Sequence, residues 1–236
     1  MRNGKSVLYE DLKRQILIME LDPDEYLDEL QLSKSYGLSR TPVREVLQRL
    51  AGEGYVDLRE NKGARVSSMN HSTIRNFFLV APMIYAAIGR LAVNNYKQKQ
   101  LLELERVQED FRKASDEGNA VVMTVSNNRF HEIIGEMSGN VYLQASLGRL
   151  LIDHSRIGSI FYRQNSGDMK SRMDKAVAHH DGFIAAIKKR DQEDFVDLVS
   201  QHWALSRERM EMFVIPQSLE PDNFNISNNY LSLLVN

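Results

Sequence analysis

The sequence predicts a mainly α-helical protein in two parts: an N-terminal winged helix-turn-helix and a C-terminal all-α bundle of six helices. Three observations predict it. A helix–glycine–helix pattern across residues 30–50 is followed by two short β-rich runs, Gly54 to Leu58 and Ala64 to Val66, around Asn61-Lys62-Gly63. From His71 to Phe213 apolar residues recur at helical spacing, with glycine and asparagine at the breaks. Between these regions lies one polar, non-periodic stretch, Ser67 to Ser72, which reads as a linker. The expected division is 1–67, linker 68–72 and 73–236, and a chain of 236 residues is long enough for two cores.

The first helix places Leu8, Leu12, Ile16 and Met19 on one face with Lys13 and Arg14 outside it. It stops before Leu21-Asp22-Pro23-Asp24, because the residue ahead of a proline is pushed out of the helical region. A short second helix with Leu30, Leu32, Ser33 and Tyr36 ends at Gly37, and Gly37-Leu38-Ser39 is a tight turn into a third. The third helix carries the stripe Val43, Val46, Leu47, Leu50, Ala51, and its other face carries Arg40, Arg44, Gln48 and Arg49. Pro42 is tolerated in a first turn, and Ser39 or Thr41 is placed to cap the free N–H groups. A first turn of Ser, Arg, Thr and Arg offers charged contacts to phosphate and forked donors to guanine edges, which is what a major-groove helix needs. The following hairpin, with Lys62 and Gly63 at its tip, reads as the wing.

A formal net charge of −2 excludes a polycation that coats nucleic acid but not a groove reader whose positive charge is local. Acids crowd Glu20, Asp22, Asp24, Glu25, Asp28 and Glu29, whereas Lys34, Arg40, Arg44, Arg49, Lys62 and Arg65 fall on the elements that would face DNA. The absence of cysteine removes disulfides and thiolate metal sites. No apolar run approaches a membrane span and the N-terminus lacks a signal-peptide core, so a cytoplasmic protein without membrane contact is expected.

Residues 7–67 resemble the winged helix-turn-helix of the GntR family of bacterial repressors. The resemblance is carried by Leu38-Ser39-Arg40-Thr41-Pro42-Val43-Arg44-Glu45 together with Gly54 and Gly63. It implies double-stranded operator DNA as partner, with Ser39, Arg40, Thr41, Arg44, Arg49, Lys62 and Gly63 as the candidate contacts. Two positions depart from the family: Asp24 stands where glycine is usual, and Leu30 stands where arginine is frequent.

The expected bundle helices are 71–95, 98–116, 119–138, 141–164, 169–189 and 192–213, followed by a tail with Pro216 and Pro221 and the apolar run Tyr230 to Val235. The bundle holds His131, His154, His179, His180 and His202. His202 shares a face with Phe195, Leu198, Val199 and Leu205, and His180 with Phe183, Ile184 and Ile187, so both should point inward. Each alone reads as a core histidine with satisfied ring nitrogens. Asn127 lies one turn before His131 on the same face, however, and neutral imidazoles from three helices closing on one point are explained by a divalent metal.

Residues 71–213 resemble the C-terminal FCD domain of the FadR-type branch of the same family, through Asn127-Asn128-Arg129-Phe130-His131, Ser138-Gly139-Asn140, His180 with Phe183 to Ile187, Asp191 and Gln201-His202. Six helices fit its shorter, VanR-like subgroup. In many such domains an aspartate and three histidines hold a metal, which implies Asn127, His131, His180 and His202 as ligands of zinc or nickel here. Asn127 replaces the usual aspartate, and a neutral carbonyl is the weaker ligand. The first bundle helix has Ala81 and Tyr85 where Arg and Glu are usual, so the acid-binding pocket is altered, with Tyr85 and Arg156 as candidate lining residues. The implied protein is a homodimeric, effector-responsive repressor of a palindromic operator, released by a small metabolite such as an organic acid. Two rivals are a metal-dependent hydrolase, since three histidines with an open metal position activate water, and a metal-free regulator whose histidines bind the effector.

Overall fold

In the computed structural model, residues 4–59, 63–163 and 169–214 are described. Lys62, the Asn165-Ser166-Gly167 break and the tail from residue 215 lie outside the described residues. The chain begins with α1 (Gly4–Leu17), whose Leu8, Leu12 and Ile16 are buried. The helix stops short of Met19, which takes φ 55° and so lies outside the stripe expected for it. Asp24 takes φ 68°, the left-handed turn conformation that aspartate tolerates better than most residues.

Next come β1 (Tyr26–Leu27), α2 (Glu29–Tyr36), α3 (Arg40–Glu53), β2 (Val56–Arg59) and β3 (Gly63–Val66). Asp28 caps α2 by accepting from the Gln31 N–H at 2.7 Å, and Gly37 ends the helix at φ 61°. Ser39 is the N-cap of α3 by backbone position, but its side chain makes no capping bond and is exposed. β1 is an addition to the expected two strands. It pairs antiparallel with β3 (Tyr26 opposite Arg65, Leu27 opposite Ala64) and gives a sheet of order β1-β3-β2. α1, α3 and the sheet share one core of Leu8, Leu12, Ile16, Val43, Val46, Leu47, Leu50, Val56, Ala64 and Val66.

The second core is built by α4 (His71–Asn95), α5 (Gln98–Asp116), α6 (Ala120–Ser138), α7 (Val141–Tyr162), α8 (Met169–Lys189) and α9 (Gln192–Val214), within two residues of the expected bounds. Asn70 caps α4 by accepting from the Thr73 N–H, so the helix begins at His71, inside the stretch expected as linker. α4 is long and apolar enough to cross a membrane by length and composition, contrary to expectation. Its Phe77, Ala81, Tyr85, Ile88 and Ala92 form one buried side that packs on α6, α7 and α9. Its other side exposes Leu79, Val80 and Met83. Gly89 lets α9 come close, since a Cβ there would sit 2.1 Å from the Phe195 ring.

α7 serves both cores. Ile152 is part of the N-terminal core, and Ser159 Oγ donates to the Ile18 carbonyl at 3.0 Å. Arg163 donates to the same carbonyl, and Arg149 lies so close to Gly54, the residue that closes α3, that a Cβ there would meet its Cδ at 2.6 Å. Arg156 was expected inward, towards an effector. It is fully buried instead against Asp153 and the Ser67 carbonyl, where its donors hold the linker rather than line the bundle interior.

Candidate functional site

Each helix of the bundle sends a polar side chain to a common interior region: Tyr85 from α4, Gln108 from α5, His131 from α6, His154 from α7, His180 from α8 and His202 from α9, with Asn127 one turn before His131 on α6. All seven are buried. The His131 ring centroid lies 4.7 Å from that of His154, 5.3 Å from His180 and 5.6 Å from His202, and His180 and His202 are 5.3 Å apart. One ring nitrogen from each of His131, His154 and His202 lies within 4.8 Å of the other two. His131 Nε2, His180 Nε2 and His202 Nδ1 are buried without a hydrogen-bond partner. Buried polar atoms are nearly always paired, so three bare nitrogens in one cluster fit a ligand that accepts lone pairs.

The rings are fixed by neighbours. Tyr85 Oη is 2.7 Å from His154 Nδ1, and the Tyr85 ring packs edge-on against His131. Phe130 stacks on His180 at 4.1 Å with planes 8° apart. Burial lowers His154 to about 4 and lowers His180 to about 3, the latter helped by the charges of His154 and His179. His131 and His202 are also held well below the usual imidazole value, first by burial and then by the neighbouring histidines. All four are therefore neutral near pH 7, the form that binds a metal.

Among the residues expected as ligands, the structure brings His131, His180 and His202 to one place and sets Asn127 one turn from His131. It adds His154, which the expected set omitted. The signal was present: Leu147, Leu151, His154, Gly158 and Phe161 follow four-three-four-three spacing, the buried stripe of α7. Gln108 likewise falls on the α5 stripe with Leu101, Leu104 and Phe111. Beside the cluster, a cavity of about 50 Å³ is lined by His154, His202, Tyr162, Arg172, Met173 and Leu205.

A second polar region lies on the other core. Ser39, Arg40, Thr41, Arg44 and Gln48 are exposed on α3, and Arg40, Arg44 and Gln48 share a groove of about 700 Å³ with Leu30, Leu58, Arg59 and Gly63. Arg44 Nε pairs with Glu29 at 2.8 Å. Arg49 does not share this face. Its guanidinium stacks over the Tyr9 ring at 3.7 Å and pairs with Glu53 at 3.0 Å, five positions from Arg44 and so well round the helix. Arg65 pairs with Asp24 at 3.1 Å.

Residues 5–66 match the model of bacterial regulatory proteins of the gntR family, and residues 83–205 match that of the FCD domain. The HTH-type transcriptional regulator YdhC of Bacillus subtilis (strain 168) is 25% identical over 198 residues, covering 83% of this chain and 85% of its own. The HTH-type transcriptional repressor RspR of Escherichia coli (strain K12) is 24% identical over 195 residues, covering 83% of each chain. The solved structure of E. coli McbR/YncC has the same fold, with TM-score 0.74 at 20% identity over 90% of this chain and 97% of that one.

Proposed function

The chain belongs to the gntR family of regulators, with an FCD domain, and from that premise we propose that it represses transcription by binding a two-fold-symmetric operator as a homodimer, under control of a small molecule bound in the bundle. The matched families and relatives are transcriptional regulators, so the hydrolase reading falls away. We take residues 1–67 as the DNA-binding domain, 68–72 as the linker and 73–236 as the effector-binding and dimerisation domain, in a cytoplasmic protein. The six helices from α4 to α9 support the VanR-like subgroup. Repression agrees with the printed name of the relative RspR.

The observation that carries the proposal is α7. One side of it presents His154 to the cluster, while Arg149, Ile152, Arg156, Ser159 and Arg163 hold the first core and its linker. A ligand that moves His154 therefore moves the seat of the DNA-binding domain, which is what coupling between two sites requires. On the DNA side Arg40, Arg44 and Gln48 enter the major groove, Ser39 and Thr41 reach phosphate at its edge, and the wing with Gly63 and Lys62 lies along the backbone. One such helix reads only a few base pairs, so specificity needs a second copy, and the exposed Leu79, Val80 and Met83 of α4 offer it an apolar face.

His131, His154, His180 and His202 suit a divalent metal of intermediate softness, zinc or nickel, with Asn127 as an additional weak oxygen donor. Bound there, the metal would supply a positive centre for an acidic effector. Arg172, which lines the cavity beside His154 and His202, suits the same class of ligand. Footprinting on genomic fragments tests the proposal. Protection of two half-sites about one DNA turn apart is expected. Protection of a single half-site by a monomer would overturn the dimer, and no protected site at all would overturn the regulator.

A further inference from the structure

The amide of Gln108 has only one orientation that its surroundings accept. One side of it faces the Val177 carbonyl at 3.1 Å and the Asp181 carboxylate at 3.0 Å. Neither acceptor carries a hydrogen, and Asp181 is itself held by Arg112 at 2.7 and 2.9 Å. The NH2 group must therefore point to these two, and the amide oxygen must be the atom 2.9 Å from His180 Nδ1. An amide oxygen only accepts, so Nδ1 carries the hydrogen. A neutral imidazole protonated at Nδ1 has its lone pair on Nε2, and Nε2 of His180 is a buried atom without a partner. A half-turn of the ring would put Cδ2 in place of Nδ1 and lose the bond to Gln108, and the Phe130 ring stacked at 4.1 Å and Phe111 at 4.9 Å hinder it.

We propose that Gln108 is the positioning residue of the histidine cluster: it fixes His180 as the Nδ1–H tautomer and so presents the Nε2 lone pair to the bound metal. The ligand part of this inference rests on the metal reading of the cluster; the tautomer part stands without it. The Arg112–Asp181 pair orients the amide, so a partly exposed ion pair on α5 and α8 sets the hydrogen-bonding of a ring with no solvent exposure.

The test begins with metal-free wild-type protein labelled at histidine with nitrogen-15. Long-range proton–nitrogen correlation should show His180 protonated at Nδ1, and protonation at Nε2 would overturn the proposal without any variant being made. In Gln108→Met, of similar length but without an acceptor, that preference should disappear. Zinc affinity, measured by competition with a chromophoric chelator, should fall about 10- to 100-fold, the usual effect of losing such a support. Gln108→Met with an unchanged tautomer and unchanged zinc affinity would also overturn it. Wild-type protein with the Nδ1–H tautomer that binds no zinc would keep Gln108 as the tautomer's determinant and remove the metal from the proposed function.

Discussion

Arg156 donates to the backbone carbonyl of Ser67 over 2.6 Å, through a guanidinium with no solvent exposure whose other arm is held by Asp153. Removing one member of a buried ion pair costs about 3–5 kcal/mol when its partner is left alone, and here Asp153 keeps the partly exposed Arg149 at 3.7 Å, so about 3 kcal/mol is the upper bound expected. Arg156→Met should lower stability by that order in urea unfolding. Arg156→Met with Asp153→Leu should recover much of the loss, since no buried charge remains and Arg149, which also loses Asp153, is partly exposed to water. A loss below about 1 kcal/mol for the single variant would mean that water reaches the pair.

On the DNA face, Arg44 is held by Glu29 in the free protein, so binding must exchange one anion for another. Arg44→Ala should weaken operator binding by about 1–3 kcal/mol and relax preference at one base position. Glu29→Gln should act in the opposite direction, tightening binding because a competing carboxylate is lost. Gel shifts at fixed salt measure both. Equal affinities for all three proteins would take Arg44 out of the interface.

The ligand set is tested through Asn127 and His202. Asn127→Asp adds an anionic oxygen to a proposed set of four neutral imidazoles and should tighten a divalent cation, whereas His202→Ala should loosen it. A ligand bound only by the native state raises the melting temperature by mass action. The shift removed by chelator should grow in Asn127→Asp and vanish in His202→Ala. Chelator-independent melting in wild type and both variants would favour the metal-free regulator.

Protonation offers a further check on the metal-free protein. Burial holds His154 at about 4, below the value of about 6.5 for an unfolded histidine. The unfolded chain then takes up the proton first, so the stabilising difference is complete above pH 6.5 and is lost as pH falls towards 4. Each such histidine contributes a slope of up to about 1.4 kcal/mol per pH unit in that window. His154→Phe should make the decline between pH 6.5 and 4.5 shallower by about one group. An unchanged slope would mean that His154 is not buried in solution.

Much of this was legible in the residues because it is periodic. The 4-3 stripes of α4 to α9 and the glycines at Gly37 and Gly139 place the helices almost where they occur. β1 was not legible: two residues, Tyr26 exposed and Leu27 buried, are too short for a pattern, and the strand exists only because β3 pairs with it. Arg156 points inward as its register implies, but its neighbours are Asp153 and the Ser67 carbonyl, since register gives a direction from the helix axis and not what lies there. The resemblance implies four ligand positions, and His154 is not among them. Arg49 resembles its arginine neighbours on α3 in sequence, but the Tyr9 ring and Glu53 decide where its side chain rests.

Trp203 is the single tryptophan of the sequence, and its indole lies 5.2 Å from the His154 ring and 5.1 Å from Tyr85. The protein thus carries one indole fluorophore, which can be excited apart from its nine tyrosines at the red edge, and it sits against the cluster. Its emission should respond when the imidazole is protonated or liganded, because charge beside a buried indole changes both colour and yield. Occupancy of the bundle can accordingly be followed optically in unlabelled protein, on the same sample whose DNA binding is being titrated, and the order of the two events becomes a matter of comparing two curves.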